Sequence, residues 1–190
     1  MIVLASISPR RRDLLDRLGI PYEIDPAHVD ERLEPGELPE TFAVRLAREK
    51  ARAVSARRPG RWVLAADTVV VLGDELLGKP ESPAAAKRML ARLSGNEHRV
   101  VTAVALARDG ELLERCDVTR VWFRRLSDEL IDAYVATGEP LDKAGSYGLQ
   151  ERGAVLVERI EGDYFGVIGL PVRLVVDLLE DAGIPYSFTR

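Results

Sequence analysis

The stretch from Trp62 to Leu72 constrains this chain most, because it is apolar throughout except for Asp67 and Thr68. A short apolar run bounded by turn residues is a buried strand, and Gly73-Asp74 supplies the turn. Such a strand belongs in the centre of a sheet, covered on both faces. The polar pair in its middle predicts a change of direction or of partner at that point. A buried carboxylate must be paired, protonated or bound to a cation. Asp67 is therefore either a structural aspartate answering a lysine or a loop, or a group facing a ligand. Aspartates at strand ends of α/β sheets commonly face the ligand crevice, which favours the second reading.

Around this strand the chain alternates apolar runs with capped helices. Ile2 to Ala5 reads as a first core strand. Ser8 offers an N-cap and Pro9 a first helical residue, so a helix runs to about Leu18 and ends at Gly19. Tyr22 to Asp25 reads as a strand and residues 26–38 as a loop, punctuated by Pro26, Pro35 and Gly36. Pro39 opens a helix to about Arg58. Ser82-Pro83 repeats the cap-plus-proline device and starts a helix that ends at Gly95. Arg99 to Ala107 and Leu112 to Phe123 form a hairpin around Asp109-Gly110. Ser127 to about Thr137 is a helix, and Ala154–Ile160 with Tyr164–Ile168 reads as a strand pair around Glu161-Gly162-Asp163. A closing helix runs from Leu170 to Gly183. The pattern predicts an α/β fold with a mixed sheet, one domain over residues 1–190 with two lobes around a cleft.

The chain has 190 residues, 46% of them hydrophobic and 31% charged, the balance of a globular protein with a sizeable core. A net charge of -4 gives no overall bias toward nucleic acid or an anionic membrane, so any anion site has to be local. No apolar run approaches the length of a membrane span. Met1-Ile2-Val3-Leu4-Ala5 is too short for a signal sequence and no basic residues precede it. The sole cysteine, Cys116, allows no internal disulfide. It has no metal-ligand spacing and reads as a plain buried thiol in a reducing compartment. The expectation is a cytoplasmic protein.

Several charges stand where amphipathic patterning does not put them. In the first helix Leu14, Leu15 and Leu18 define the apolar arc, and Arg11 projects into its middle. Arg10 and Arg11 also occupy the first turn, where the helix dipole disfavours cations. With Ser8 and free backbone N–H groups they make either a phosphate receptor or a fraying turn with solvated arginines. In the helix from Pro39, the residues Phe42, Ala43, Leu46, Ala53 and Val54 share a face, opposite Arg45, Arg48, Glu49 and Arg52. Lys50 falls in the apolar sector, where its ammonium either snorkels to an edge or meets an anion. Lys79, in Gly78-Lys79-Pro80, is a loop lysine that could add a phosphate contact. Leu141 to Gln150 carries two glycines and an aromatic. It is either an ordinary loop or a segment that approaches a base, with Gln150 suited to a nucleobase edge. His28 and His98 share no metal-ligand spacing and read as surface or hairpin histidines. No Walker loop, nucleophile elbow or dinucleotide fingerprint is present.

Taken in order, these segments resemble the Maf family of nucleotide pyrophosphatases, also called septum formation inhibitor proteins. The likeness covers essentially the whole chain. It rests on Leu4-Ala5-Ser6-Ile7-Ser8-Pro9-Arg10-Arg11, on Ala47-Arg48-Glu49-Lys50-Ala51 and on Ala66-Asp67-Thr68-Val69-Val70. It continues through Gly78-Lys79-Pro80, Leu93-Ser94-Gly95, Asp142-Lys143-Ala144-Gly145-Ser146-Tyr147-Gly148-Leu149-Gln150 and Gly169-Leu170-Pro171.

The resemblance implies an elongated mixed sheet flanked by helices, with a deep cleft between lobes, like the inosine triphosphate pyrophosphatase fold. It implies hydrolysis of a nucleoside triphosphate to the monophosphate and pyrophosphate with Mg2+ or Mn2+. The branch it resembles acts on dTTP and UTP and on some modified pyrimidine nucleotides, a house-cleaning role with a link to cell-division arrest. The family's motif positions fall on Ser8, Arg10, Arg11, Glu31, Lys50, Asp67, Lys79 and Gln150. Asp67 would be the general base, with Glu31 and Asp67 as metal ligands. Ser8, Arg10, Arg11, Lys50 and Lys79 would hold phosphates. Arg11, Thr68 and Gln150 would set specificity. A homodimer is implied, with no nucleic-acid or membrane partner. Two rivals stand beside this reading: a nucleotide-binding regulator of division without turnover, and the same enzyme with a purine substrate.

Overall fold

The computed structural model describes residues 1–188 and is an α/β protein built on a seven-stranded sheet. Its strands are β1 (Ile2–Leu4), β2 (Tyr22–Ile24), β3 (Val63–Leu72), β4 (Glu75–Leu77), β5 (Glu97–Arg108), β6 (Glu111–Phe123) and β7 (Val157–Glu161). The spatial order is β2-β1-β3-β5-β6-β7, with β4 pairing β3. The helices are α1 (Pro9–Leu18), α2 (Pro39–Ser55), α3 (Pro83–Leu93), α4 (Asp128–Ala136), α5 (Tyr164–Ile168) and α6 (Val172–Asp181).

The chain divides into two compact units. The first comprises Met1–Asp67, Thr102–Asp117 and the chain from Gly169 onward; the second comprises Thr68–Val101 and Val118–Ile168. The division falls inside β3, between Asp67 and Thr68.

In the first unit β1 lies parallel to both β2 and β3, with Val3 opposite Val63 and Leu4 opposite Leu64. Ile2, Val3 and Leu4 are buried, as a strand flanked on both sides requires. The connection from β1 to β2 is α1, and its end follows from Gly19. That glycine takes a left-handed φ of 65° and donates its N–H to Asp16 O, while Ile20 N–H reaches Leu15 O. Helix α2 buries Phe42, Ala43, Leu46, Ala47, Ala51 and Val54, while Ala53 is half-buried. Helix α6 buries Leu174, Val175, Leu178 and Leu179, each contributing about 1.5–3 kcal/mol relative to exposure.

In the second unit β3 turns through Gly73 into β4, antiparallel, with Val70 opposite Leu77. The change of partner expected near Asp67-Thr68 is present, since β1 lies beside Val63–Leu64 and β4 beside Val70–Leu72. Helix α3 carries the expected serine cap, and α4 carries one as well. Ser82 Oγ accepts from Ala85 N–H at 3.1 Å, and Ser127 Oγ from Leu130 N–H at 3.2 Å. The core of this unit gathers Val70, Leu90, Leu93, Phe123, Tyr147 and Leu156.

Three expectations are corrected. Tyr164–Ile168 is a helix rather than the second strand of a pair. Asp163 Oδ1 accepts the N–H groups of Phe165 and Gly166 at 2.7 and 3.0 Å, an acidic side chain capping a helix start. Residues 152–156 form a 3-10 turn, and the strand begins at Val157 and pairs antiparallel with β6 instead. Cys116 is exposed rather than buried. It stands between charged Arg115 and Asp117, in a part of β6 that β7 does not reach, since their pairing begins at Arg120. Neighbouring protein bulk and the charges of Asp117 and Glu40 raise its thiol pKa to about 11. His98 lies in a hairpin strand, β5, but is buried, only 1% exposed, rather than on the surface. Its Nε2 lies 2.8 Å from the Tyr147 hydroxyl, and its ring meets Phe123 and Tyr147 edge to face.

Candidate active site

The first unit assembles charged side chains from α1, the loop before α2, α2 itself and the middle of β3. Helix α1 begins at Ser8-Pro9, but Ser8 makes no side-chain cap bond. Its N–H instead donates to Ser6 Oγ at 3.2 Å. No acidic residue stands in the first turn, so the positive helix end carries Arg10 and Arg11, with Asp13 three residues after Arg10. A positive helix end with two arginines is a place where an anion is stabilised.

Arg11 points inward, as its place in the apolar arc required. Its Nε donates to Gly169 O at 2.8 Å and its Nη1 to Ser6 Oγ at 3.2 Å. Burial lowers its pKa; the charges of Asp67 and Glu31 oppose that shift, and Arg10 reinforces it. The guanidinium is thus within electrostatic reach of both carboxylates.

Lys50 lies one turn after Leu46 on α2. Its Nζ is 2.7 Å from Asp67 Oδ1 and 2.6 Å from Glu31 Oε1. The Lys50 and Asp67 side chains are 12% and 11% exposed, whereas Glu31 is 60% exposed. The ammonium therefore meets carboxylates rather than bulk water, and it supplies the partner that a buried Asp67 demands. One unit thus brings together Arg10, Arg11, Glu31, Lys50 and Asp67, three cations and two carboxylates. A surface cavity of about 560 Å³ between Glu34 and Arg48 is lined by none of these side chains.

The other predicted site residues belong to the second unit. Thr68 follows Asp67 directly in β3 and is half-buried. Lys79 is exposed, in a loop whose Gly78 O accepts from Gly145 N–H at 3.2 Å. Gly145 takes a φ of 70°, and a Cβ there would stand 2.9 Å from the Val70 methyls, so only glycine fits. Gln150 is half-buried, between Gly148 and Gly153.

The two carboxylates that converge on Lys50 Nζ present hard oxygen ligands of the kind Mg2+ and Mn2+ take. Among the described residues no group of three or more His, Cys, Asp and Glu is arranged to hold a metal ion. A cation at Glu31 and Asp67 would thus depend on further oxygens, and Mg2+ is commonly held by one or two carboxylates plus substrate phosphates.

Ser6 and the Gly169 carbonyl, which hold the Arg11 fork, carry no charge or pattern break that marks them in the sequence, although both lie in motif segments. No pattern break marks Tyr134 and Glu139 either, which hold the backbone around Gln150.

Comparisons with known proteins place the chain in a family. The model of the family described as "Maf-like protein" matches residues 1–182. The protein named dTTP/UTP pyrophosphatase from Anaeromyxobacter dehalogenans (strain 2CP-1) is 52% identical over 193 residues, covering 100% of this chain and 97% of that protein. Its namesake from Myxococcus xanthus is 52% identical over 187 residues, covering 97% and 94%. Among solved structures, a HAM1 protein from Coxiella burnetii matches with a TM-score of 0.52 at 18% identity, covering 95% of this chain and 98% of that one, a likeness of fold. With a family model over nearly its entire length and relatives half identical from end to end, this chain belongs to the Maf family.

Proposed function

We propose that the chain is a nucleoside triphosphate pyrophosphatase that converts dTTP and UTP, and modified pyrimidine nucleotides, to the monophosphate and pyrophosphate. The observation that carries the reading is the convergence of Glu31 and Asp67 on Lys50 beside the inward-pointing Arg11. Full-length relatives that bear the name dTTP/UTP pyrophosphatase support the choice of substrate.

In this mechanism Asp67 is the general base. A water oxygen bonds to the α-phosphorus while Asp67 takes the proton that the water loses. The bond from the α-phosphorus to its bridging oxygen breaks, and the electron pair leaves on pyrophosphate. Arg10, Arg11, Lys50 and Lys79 neutralise the triphosphate and the leaving group. Ser8 and the free N–H groups at the start of α1 hold a phosphate. Thr68 and Gln150 read the base, and Arg11 influences which nucleotide fits. Glu31 and Asp67 would hold Mg2+ or Mn2+ together with phosphate oxygens, and the cation would supply charge neutralisation.

Asp67→Asn keeps the shape and removes the base. Pyrophosphate release from dTTP with Mg2+ present should fall by about 10²- to 10⁴-fold. Turnover that survives this substitution would remove Asp67 from its role. A panel of triphosphates scored by kcat/KM tests the pyrimidine preference, and binding without pyrophosphate release would favour a regulator. The reading also includes a cytoplasmic homodimer, which light scattering of the purified chain and cell fractionation test.

A further inference from the structure

In the second unit, three side chains surround the backbone that carries Gln150. The Tyr134 hydroxyl, on α4, accepts Gly148 N–H at 3.2 Å and donates to Glu139 Oε1 at 2.8 Å. Glu139 Oε1 also accepts Gly153 N–H at 3.0 Å, and Oε2 accepts Arg152 N–H at 3.2 Å. Lys143 Nζ donates to the Glu139 carbonyl and to Asp142 Oδ1, each at 2.8 Å. Both flanks of Leu149–Arg152 are thus tied to one phenol–carboxylate pair, with Gln150 between them.

At Gly148 an added side chain would displace the Lys143 chain, and at Gly153 it would meet backbone. A Cβ at Gly148 would stand 2.6 Å from Lys143 Cε. One at Gly153 would stand 2.5 Å from the Tyr134 hydroxyl and 2.6 Å from the Gly148 carbonyl. The glycines let the clamp close directly on the backbone. Tyr134 is 5% exposed, and burial together with the Glu139 charge raises its pKa, so it stays a protonated donor. The phosphate chemistry uses neither group.

We propose that Tyr134 and Glu139 are positioning residues for base selection: acting through the Gly148–Gly153 backbone, they fix where Gln150 is presented. The inference rests on the proposed assignment of Gln150 to the nucleobase. A merely structural clamp would lower stability and change turnover of every triphosphate alike. A positioning clamp changes the ratio between bases.

The test compares full-length Tyr134→Phe, Glu139→Gln and Gln150→Ala with wild type. It measures kcat and KM for dTTP and dCTP, and amide exchange at Gly148 and Gly153. The expected result is a fall of at least about tenfold in the dTTP-to-dCTP ratio of kcat/KM in all three variants, carried by KM. Tyr134→Phe combined with Gln150→Ala should be no less selective than Gln150→Ala alone, because both act on one contact. Exchange at Gly148 should quicken in Tyr134→Phe. If the Tyr134 and Glu139 variants keep the wild-type ratio while Gln150→Ala loses it, the positioning role is overturned and the proposed function stands. A wild-type enzyme that takes all bases alike would sink the assignment of Gln150 and this inference with it. Should Glu139→Gln fail to fold, Tyr134→Phe, which removes a single oxygen, carries the test.

Discussion

Lys50 Nζ stands 2.7 Å from Asp67 Oδ1, and the same ammonium reaches Glu31 Oε1 at 2.6 Å. One lysine thus bridges a buried carboxylate and an exposed one. The two contacts carry unequal energies. Removing one partner of a buried pair leaves an uncompensated charge, at a cost of roughly 3–5 kcal/mol. An exposed pair is worth about 0–1 kcal/mol. Lys50→Met should therefore lower the unfolding free energy by roughly 3 kcal/mol, and Glu31→Gln by less than about 1 kcal/mol. Urea titrations of the two variants measure this, and equal losses would contradict the asymmetry.

His98 makes stability depend on pH below neutrality. Burial lowers its pKa from 6.5 to about 4, so the unfolded chain takes up a proton that the folded one does not. The stabilisation is complete above the unfolded value and is lost as the pH falls toward about 4. Between pH 7 and pH 4 the loss is on the order of 3 kcal/mol. His98→Gln should lack this component. Unfolding free energies of both proteins across that range give the difference, and parallel curves would refute it.

Gly162 and Gly110 separate backbone strain from steric overlap. Both have positive φ, 135° and 93°, but a Cβ at Gly162 would lie 2.3 Å from Thr119 Oγ1, whereas one at Gly110 meets nothing within 4 Å. Thr119 Oγ1 cannot easily yield, because it accepts Asp163 N–H at 2.7 Å. Gly110→Ala should cost about 1 kcal/mol from φ alone, and Gly162→Ala roughly 3 kcal/mol or more. Thermal unfolding of the pair reads the difference.

Cys116 is exposed yet slow to ionise. With its pKa raised from 9.0 to about 11, its thiolate fraction at neutral pH is about 100-fold lower than an ordinary thiol's. The higher intrinsic nucleophilicity of a more basic thiolate recovers part of that, leaving alkylation roughly tenfold slower than for an unperturbed thiol. Iodoacetamide kinetics at neutral pH measure it, and a rate equal to a model thiol's would contradict the raised pKa.

Much of this molecule follows from local rules. Proline at the first helical position marks the starts of α1 and α3, because it needs only neighbouring residues, but of their two serines only Ser82 caps through its side chain. Lys50 and Asp67 were visible as charges inside apolar patterns, because burial of a charge contradicts periodicity whatever surrounds it. Tyr164–Ile168 has an apolar composition that suits a strand, while the Asp163 cap that starts it as a helix follows the turn at Gly162.

Partnership was decided only by the fold. That Asp67 and Glu31 share Lys50, that Arg11 is held by Gly169 across 158 residues, and that Tyr134 and Glu139 grip the glycines beside Gln150 are contacts between distant segments. His98 went inside for the same reason: packing by Phe123 and Tyr147, not its own neighbours, buries it. Sequence by itself determined which residues must find partners, since an unpaired buried charge is too costly to leave. Tertiary structure decided which partners they found, since only chain closure brings the second group within hydrogen-bond distance.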